Sequence, residues 1–204
     1  MKKLVVAAAL TLCFPVETSA QITPCGSRAI VGAAAGLLNV DIPVDPELAG
    51  VGRHGLAKAG LGLEGSLHAS IPITSAWSLL TEFGAGSLDV LLERDASGAD
   101  VETKTGDEIA LRRLHVGFMR YRVNPLACVY FSVRAGLYRY AYRGVALNAP
   151  GGAGAIGIEV PVAHSGSVFF ETELNVALTK ARPPITPAGV LANVRPALGF
   201  RYRF

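Results

Sequence analysis

The segment NVRPALGFRYRF, residues 193–204, decides how the rest of the chain is read. Val194, Leu198, Phe200, Tyr202 and Phe204 share one parity, while Asn193, Arg195, Ala197, Gly199, Arg201 and Arg203 share the other. Successive side chains of a strand point to opposite faces, so the segment reads as a strand with an apolar face and an arginine-bearing face. Pro196 departs from the pattern. It has no N–H for a ladder and predicts a break in the strand near Arg195.

The same period recurs upstream. Leu61, Leu63, Leu67, Ala69 and Ile71 alternate with Gly62, Glu64, Ser66, His68 and Ser70, and Trp77, Leu79, Thr81, Phe83 and Ala85 with Ser78, Leu80, Glu82 and Gly84. Similar runs follow at 113–119, 129–138, 155–160 and 168–178. Their connections sort into tight turns, Pro72–Ala76, Val123–Ala127 and Pro161–Gly166, and longer loops, Glu93–Asp107, Gly144–Gly151 and Lys180–Pro187. Half of the 204 residues are hydrophobic and only 17% are charged, with 23 Gly and 12 Pro. That content excludes a disordered chain. A membrane-spanning helix needs about 20 consecutive apolar residues, and beyond the N-terminus the longest run is Ala29–Leu38. The apolar residues are therefore dispersed one position in two, which suits a barrel with its greasy face outside.

Lys2 and Lys3, an apolar core at Leu4–Val16, and Thr18 and Ala20 before Gln21 have the order of a secretory signal. The expected division is a signal peptide over 1–20 and one barrel domain over 21–204. The mature chain stays close to neutral, and an exported, nearly neutral chain gives no basis for a nucleic-acid partner. Seven strands are legible from Leu56 to Phe204. The hairpin alternation requires an outward strand before them, and 28–40 supplies it, with Asp41–Gly55 as the first outer loop. The alternative is an alanine-rich plug helix over the same stretch, which leaves an odd count where single-chain bacterial barrels have even numbers from eight.

With its alternating hydrophobes Leu198, Phe200 and Tyr202 and its terminal Phe204, the chain resembles the small outer-membrane β-barrel proteins of the OmpA, OmpX and opacity-protein type. The resemblance implies an all-β, eight-stranded antiparallel barrel in the bacterial outer membrane, with short periplasmic turns and longer extracellular loops. It implies that Leu198, Phe200, Tyr202 and Phe204 are the signal read by the barrel-assembly machinery, and that outer loops, including the acidic 93–108, serve a surface ligand.

Parity places Glu64, Glu82, Glu159, Glu171 and Glu173 inside with Arg113, Arg134, Arg195, Arg201 and Arg203, near His68 and His115. Eight strands enclose a space that side chains just fill, and a lone buried charge costs several kcal/mol. A packed ion-pair network closing the lumen is the expectation, and a narrow pore or hydrophobic-solute channel the alternative. Lys58, Arg112, Arg139 and Arg143 face outward at the outer ends of their strands, as a girdle for lipopolysaccharide phosphates or as side chains snorkelling to water. Trp77, Phe83, Phe118, Phe131, Phe200, Tyr202 and Phe204 read as interface or lipid contacts. Cys25 and Cys128 would form a disulfide in an oxidising compartment, or remain two thiols. A lipid A-modifying enzyme needs a nucleophile and a histidine at the outer leaflet. His164, Ser165 and Ser167 fall instead in a periplasmic turn, and no G-x-S-x-G motif occurs. No catalytic residue, metal site or cofactor is expected.

Overall fold

The computed structural model describes residues 28–44, 56–94, 99–123, 127–180, 185 and 189–204. Eight strands follow in chain order: β1 Ile30–Val44, β2 Leu56–Pro72, β3 Trp77–Arg94, β4 Asp100–Val123, β5 Cys128–Tyr142, β6 Val145–Pro161, β7 Gly166–Thr179 and β8 Gly189–Arg203. Each pairs antiparallel with its sequence neighbours, and β1 pairs with β8 to close the barrel. The stretch 28–40 lies almost wholly in β1, so the plug helix is excluded, and the strand runs on to Val44 where the sequence predicted a loop from Asp41. The remainder of that loop, like the signal segment, lies outside the described residues.

Alternation turns every second side chain inward. Large outward side chains in the middle of the strands are apolar: Leu37, Leu63, Leu67, Phe83, Leu114, Phe118, Phe131, Val133, Ile156, Phe170, Leu174 and Leu198 are all well exposed. On β4 this band runs from Leu114 to Phe118 between Arg112 and Arg120, both exposed. Eight residues of strand make about 27 Å along the chain, or about 20 Å along the barrel axis at a tilt near 40°. That is close to the height of the apolar band of outer-membrane barrels.

Two expected loops are not loops. The 93–107 stretch is mostly strand, because β3 reaches Arg94 and β4 starts at Asp100, with Leu91 opposite Lys104 and Leu92 opposite Thr103. Its apolar period is lost because both faces of this extension carry polar residues, and Lys104 instead pairs with Asp89 across the hairpin. Of the 144–151 stretch, all but Gly144 belongs to β6. The connection is the two-residue turn Arg143–Gly144, with φ of 46° and 80°. Positive φ at both central residues is the hairpin turn whose twist matches the flanking strands. β2, β4 and β6 end, and β3, β5 and β7 begin, at one end of the barrel, called the turn end below. The opposite end is called the loop end.

Candidate functional site: the lumen

The lumen is stacked in three tiers. At the loop end the inward side chains are apolar: Leu38, Val40, Ile42 and Val44 of β1, Ala57 and Ala59 of β2, Leu88 and Val90 of β3, Ile109 and Leu111 of β4. Tyr138, Tyr140 and Tyr142 of β5, Leu147 and Ala149 of β6, Ala177 of β7 and Leu191 of β8 complete this cluster with Ile185. The sequence signal for this tier is its inward-parity Leu, Ile, Val and Tyr, but Ile42, Val44, Leu147, Ala149 and Ile185 fall in stretches whose composition predicts loops.

The middle tier is charged, and its network, running on through Glu159, Arg201 and Arg203 into the turn end, gathers the whole expected set of acids and arginines. The Arg113 guanidinium lies between Glu64, Glu82 and Glu173, with Nε donating to the Glu64 carboxylate at 3.0 and 3.1 Å. Arg195 meets Glu64 at 2.9 Å and Glu173 at 3.1 Å, and its Nη2 donates to Ser66 Oγ at 2.9 Å. Arg134 meets Glu173 at 3.0 Å, Glu171 at 3.2 Å and Glu82. Arg201 meets Glu159 at 2.7 Å, and Glu159 also holds Arg203. Shared carboxylates, with Glu171 also 3.9 Å from Arg201, join all ten residues into one network. Every member is buried. Paired, hydrogen-bonded charges of both signs in equal number are the form in which buried charge is tolerated.

The long arginines need small neighbours. A Cβ on Gly36 would lie 2.6 Å from Arg195 Nε, and one on Gly84 would lie 2.7 Å from Arg113 Nε. These glycines make room for guanidinium stems lying flat across the lumen. Tyr138 caps the tier from the loop-end side, donating to Asn175 Oδ1 at 2.7 Å, and Asn175 donates in turn to Asn193 at 3.2 Å. The Glu82, Glu171 and Glu173 carboxylates converge closely enough to hold a cation. The cationic group among them is the Arg134 guanidinium, which pairs with all three.

The turn-end tier is aromatic. The Arg201 guanidinium is sandwiched by the Tyr130 ring at 4.2 Å and the Phe169 ring at 4.0 Å, and its Nε donates to His68 Nε2 at 2.9 Å. Ile30, Leu80, Met119 and Tyr121 pack against this stack. Cys128 opens β5 on the same face, buried and disulfide-bonded. Cys25 lies outside the described residues. Ser167 faces the lumen and donates to Glu159 at 2.6 Å, whereas His164 is exposed on the turn, so the two are not brought together.

On the outer surface, Arg112 and Arg139 stand directly opposite each other on β4 and β5, both exposed. Neither has an acidic partner among the described residues. Lys58 and Arg143 do not extend this pair. Lys58 binds Glu93, and Arg143 sits in the β5–β6 turn, where it donates to Asp107 while Tyr142 donates to the same oxygen at 2.9 Å. Arg143 left the lipid-facing set because β5 ends at Tyr142 and the turn tips its side chain towards the β3–β4 hairpin. At the turn end Arg120 stacks over Trp77 at 5.4 Å. Leu198, Phe200, Tyr202 and Phe204 all project outward, and the Phe204 N–H donates to Ala29 O at 3.0 Å, so the last residue is paired to the chain beside β1.

The chain matches no protein-family model and no curated protein sequence. Solved structures do share its architecture. Neisserial surface protein A aligns over 89% of this chain and 99% of its own at 10% identity, with a TM-score of 0.58. The outer membrane protein OprG from Pseudomonas aeruginosa aligns over 86% of this chain and 95% of its own at 11% identity, with a TM-score of 0.54. The chain therefore has the fold of the small eight-stranded outer-membrane β-barrels.

Proposed function

We propose that this chain is an integral protein of the bacterial outer membrane that acts at the cell surface and does not conduct solutes through its axis. The observation that carries the reading is the middle tier. Ten charged side chains lie across the lumen with their partners in hydrogen-bonding reach, leaving a polar solute no continuous path that does not break ion pairs. The turn end, with its tight connections and paired terminus, faces the periplasm, and the β3–β4 extension faces outward to meet a surface ligand. The aromatic ending Leu198, Phe200, Tyr202 and Phe204 is read by the barrel-assembly machinery while the chain inserts. Catalysis is not part of the reading, since no nucleophile and histidine meet at the loop end among the described residues.

Arg112 and Arg139 give this surface role a chemical partner. Like charges directly opposite on adjacent strands repel, and a phosphate between them turns the repulsion into a bidentate clamp. Lipopolysaccharide supplies such phosphates at this height of the barrel.

Planar-bilayer recording of the purified protein tests the main reading. The expected result is no stable openings in the wild type. Reproducible openings from well-folded protein would overturn it and leave the narrow pore in its place.

A further inference from the structure

Around the turn end the strands present apolar residues to the membrane, with one exception. Val31 of β1, Ile71 of β2, Leu79 of β3, Val160 of β6, Val168 of β7 and Tyr202 of β8 all face outward. β4 instead carries Arg120 and Arg122 there, both outward and exposed. They stand two residues apart on one face, about 7 Å along the strand, and at that distance beside lipid they repel each other. Neither has an acidic partner among the described residues. The described acids that face outward, Asp89, Glu93 and Glu108, lie at the loop end.

The two arginines border a groove. Trp77, Arg120 and Phe131 form one row across β3, β4 and β5. The strands that carry Trp77 and Phe131 lie about 10 Å apart, two strand spacings, yet their ring centroids are only 5.8 Å apart. The rings therefore lean towards each other over β4, and the Arg120 guanidinium lies over the Trp77 ring at 5.4 Å. One row nearer the turn end, Arg122 stands opposite Val129. The pair between the two rows, Tyr121 and Tyr130, turns its side chains into the lumen. With Phe131 drawn towards β3, the surface over β5 is left open as far as Ile156 on β6. The space measures about 480 Å³, within the size range of ligand pockets. It is cationic on its β4 side and apolar at Val129, Phe131 and Ile156.

We propose that this groove holds an anionic phospholipid of the periplasmic leaflet, its phosphate between Arg120 and Arg122 and one acyl chain against Phe131 and Ile156. A phosphate offers oxygens to both guanidinium forks and turns their repulsion into attraction. A zwitterionic headgroup brings an ammonium as well, and no outward acid at this end is present among the described residues to receive it, so the lipid without an ammonium is preferred. The periplasmic source rests on the reading that the turn end faces the periplasm. The site differs from the Arg112–Arg139 pair in leaflet, in ligand and in having a pocket for the chain.

Trp77 is the only tryptophan of the chain and stands beside the groove, so it reports the occupant. The full mature protein is folded into phosphatidylcholine vesicles in which a minor fraction of the lipid is brominated on its acyl chains, either phosphatidylglycerol or phosphatidylcholine. Bromine quenches a tryptophan that it touches, and the loss of Trp77 fluorescence relative to the same mixture without bromine gives the relative association of the two lipids. The anionic lipid should be favoured about fivefold, the contribution of one basic residue at a membrane surface. In Arg120→Gln, Arg122→Gln the ratio should fall to about one. Arg122→Gln alone leaves the Arg120–Trp77 contact in place and should give an intermediate ratio. Equal quenching by both lipids in the wild type, or a preference that survives the double substitution, would overturn the proposal. The vesicles carry the same lipids on both sides, so the ratio does not depend on which way the barrel faces, and conductance through the axis would leave it unchanged. Labelling of Ser75→Cys in intact cells by a maleimide too large for porins would overturn the periplasmic leaflet as the source.

Discussion

On β4 the inward side chains run Ile109, Leu111, Arg113, His115, and on β8 they run Leu191, Asn193, Arg195. Within one or two inward steps each strand passes from an apolar tier to a charged one. The two tiers share a barrel, a strand register and nearly complete burial, yet they are held by different physics. The charged tier is directional, since Arg113, Arg134 and Arg195 each have three carboxylates fixed around them and tolerate no vacancy. The apolar tier is held by area and contact alone, so it can give up a side chain and take another apolar group in its place. A rigid tier beneath an exchangeable one follows from that contrast.

The comparison breaks most sharply at Arg113. Replacing it with Met strands Glu64, Glu82 and Glu173 with less compensation, and an uncompensated buried charge costs about 3–5 kcal/mol. Urea unfolding in vesicles, followed by the heat-sensitive mobility of folded barrels on gels, should show a loss of that size. The loss should be insensitive to salt, because buried pairs are weakly screened. A change below about 1 kcal/mol, the range of exposed pairs, would mean that the network is not the rigid member of the comparison.

The apolar tier should yield less and recover. Leu88→Ala removes a fully buried side chain from that tier, with an expected cost of about 2–5 kcal/mol from lost transfer energy and the cavity left behind. If the tier is exchangeable, saturating alkane should restore part of this loss, as a ligand bound only to the folded state stabilises it by mass action. No alkane could refill the Arg113→Met site in the same way. Equal rescue of both variants would erase the distinction between the tiers.

The uneven legibility of the sequence has the same physical origin. All ten charges of the middle tier could be assigned by parity, because opposite charges at alternating positions next to glycines have few uses outside a lumen. The strand count was legible for a similar reason, since each membrane-facing stretch keeps its apolar outward face. The apolar tier was not. Its outer residues sit where the outward face has left the lipid band, as at Asn39 on β1 and Asn148 on β6, so the alternation that marks a strand fades. Gly144, Pro150 and Gly151 carried loop chemistry into a stretch that is strand apart from the turn. Only the register shows that Pro196 leaves β8 unbroken towards β7, with Thr172 opposite it, while the β1–β8 ladder stops beside it at Gly36 opposite Ala197. No local pattern contains the phase of a hydrogen bond made across the barrel seam.

At the boundary between the tiers Tyr138 shares its single hydroxyl proton between Asn175 Oδ1 at 2.7 Å and Gly152 O at 3.0 Å. Tyr138→Phe keeps the ring that packs edge-on against His115 and removes only the hydroxyl. The expected loss is about 1 kcal/mol, with no change in the fold, read by the same urea titration.

The smallest effect belongs to the outer rim, where Asp107 accepts from Arg143 and Tyr142. This cluster uses the same ion-pair chemistry as the middle tier, so it isolates the contribution of burial. The Arg143 and Asp107 side chains are 46% and 31% exposed, and pairs of that kind contribute about 0–1 kcal/mol because water screens them and long side chains must be ordered. Asp107→Asn should therefore cost less than about 1 kcal/mol in low salt. The difference should vanish at an ionic strength of about 1 M, where the screening length falls to about 3 Å. A loss as large and as salt-resistant as that of Arg113→Met would show that the rim is a structural continuation of the lumen, and the stiffness assigned to the middle tier could then no longer be credited to its burial.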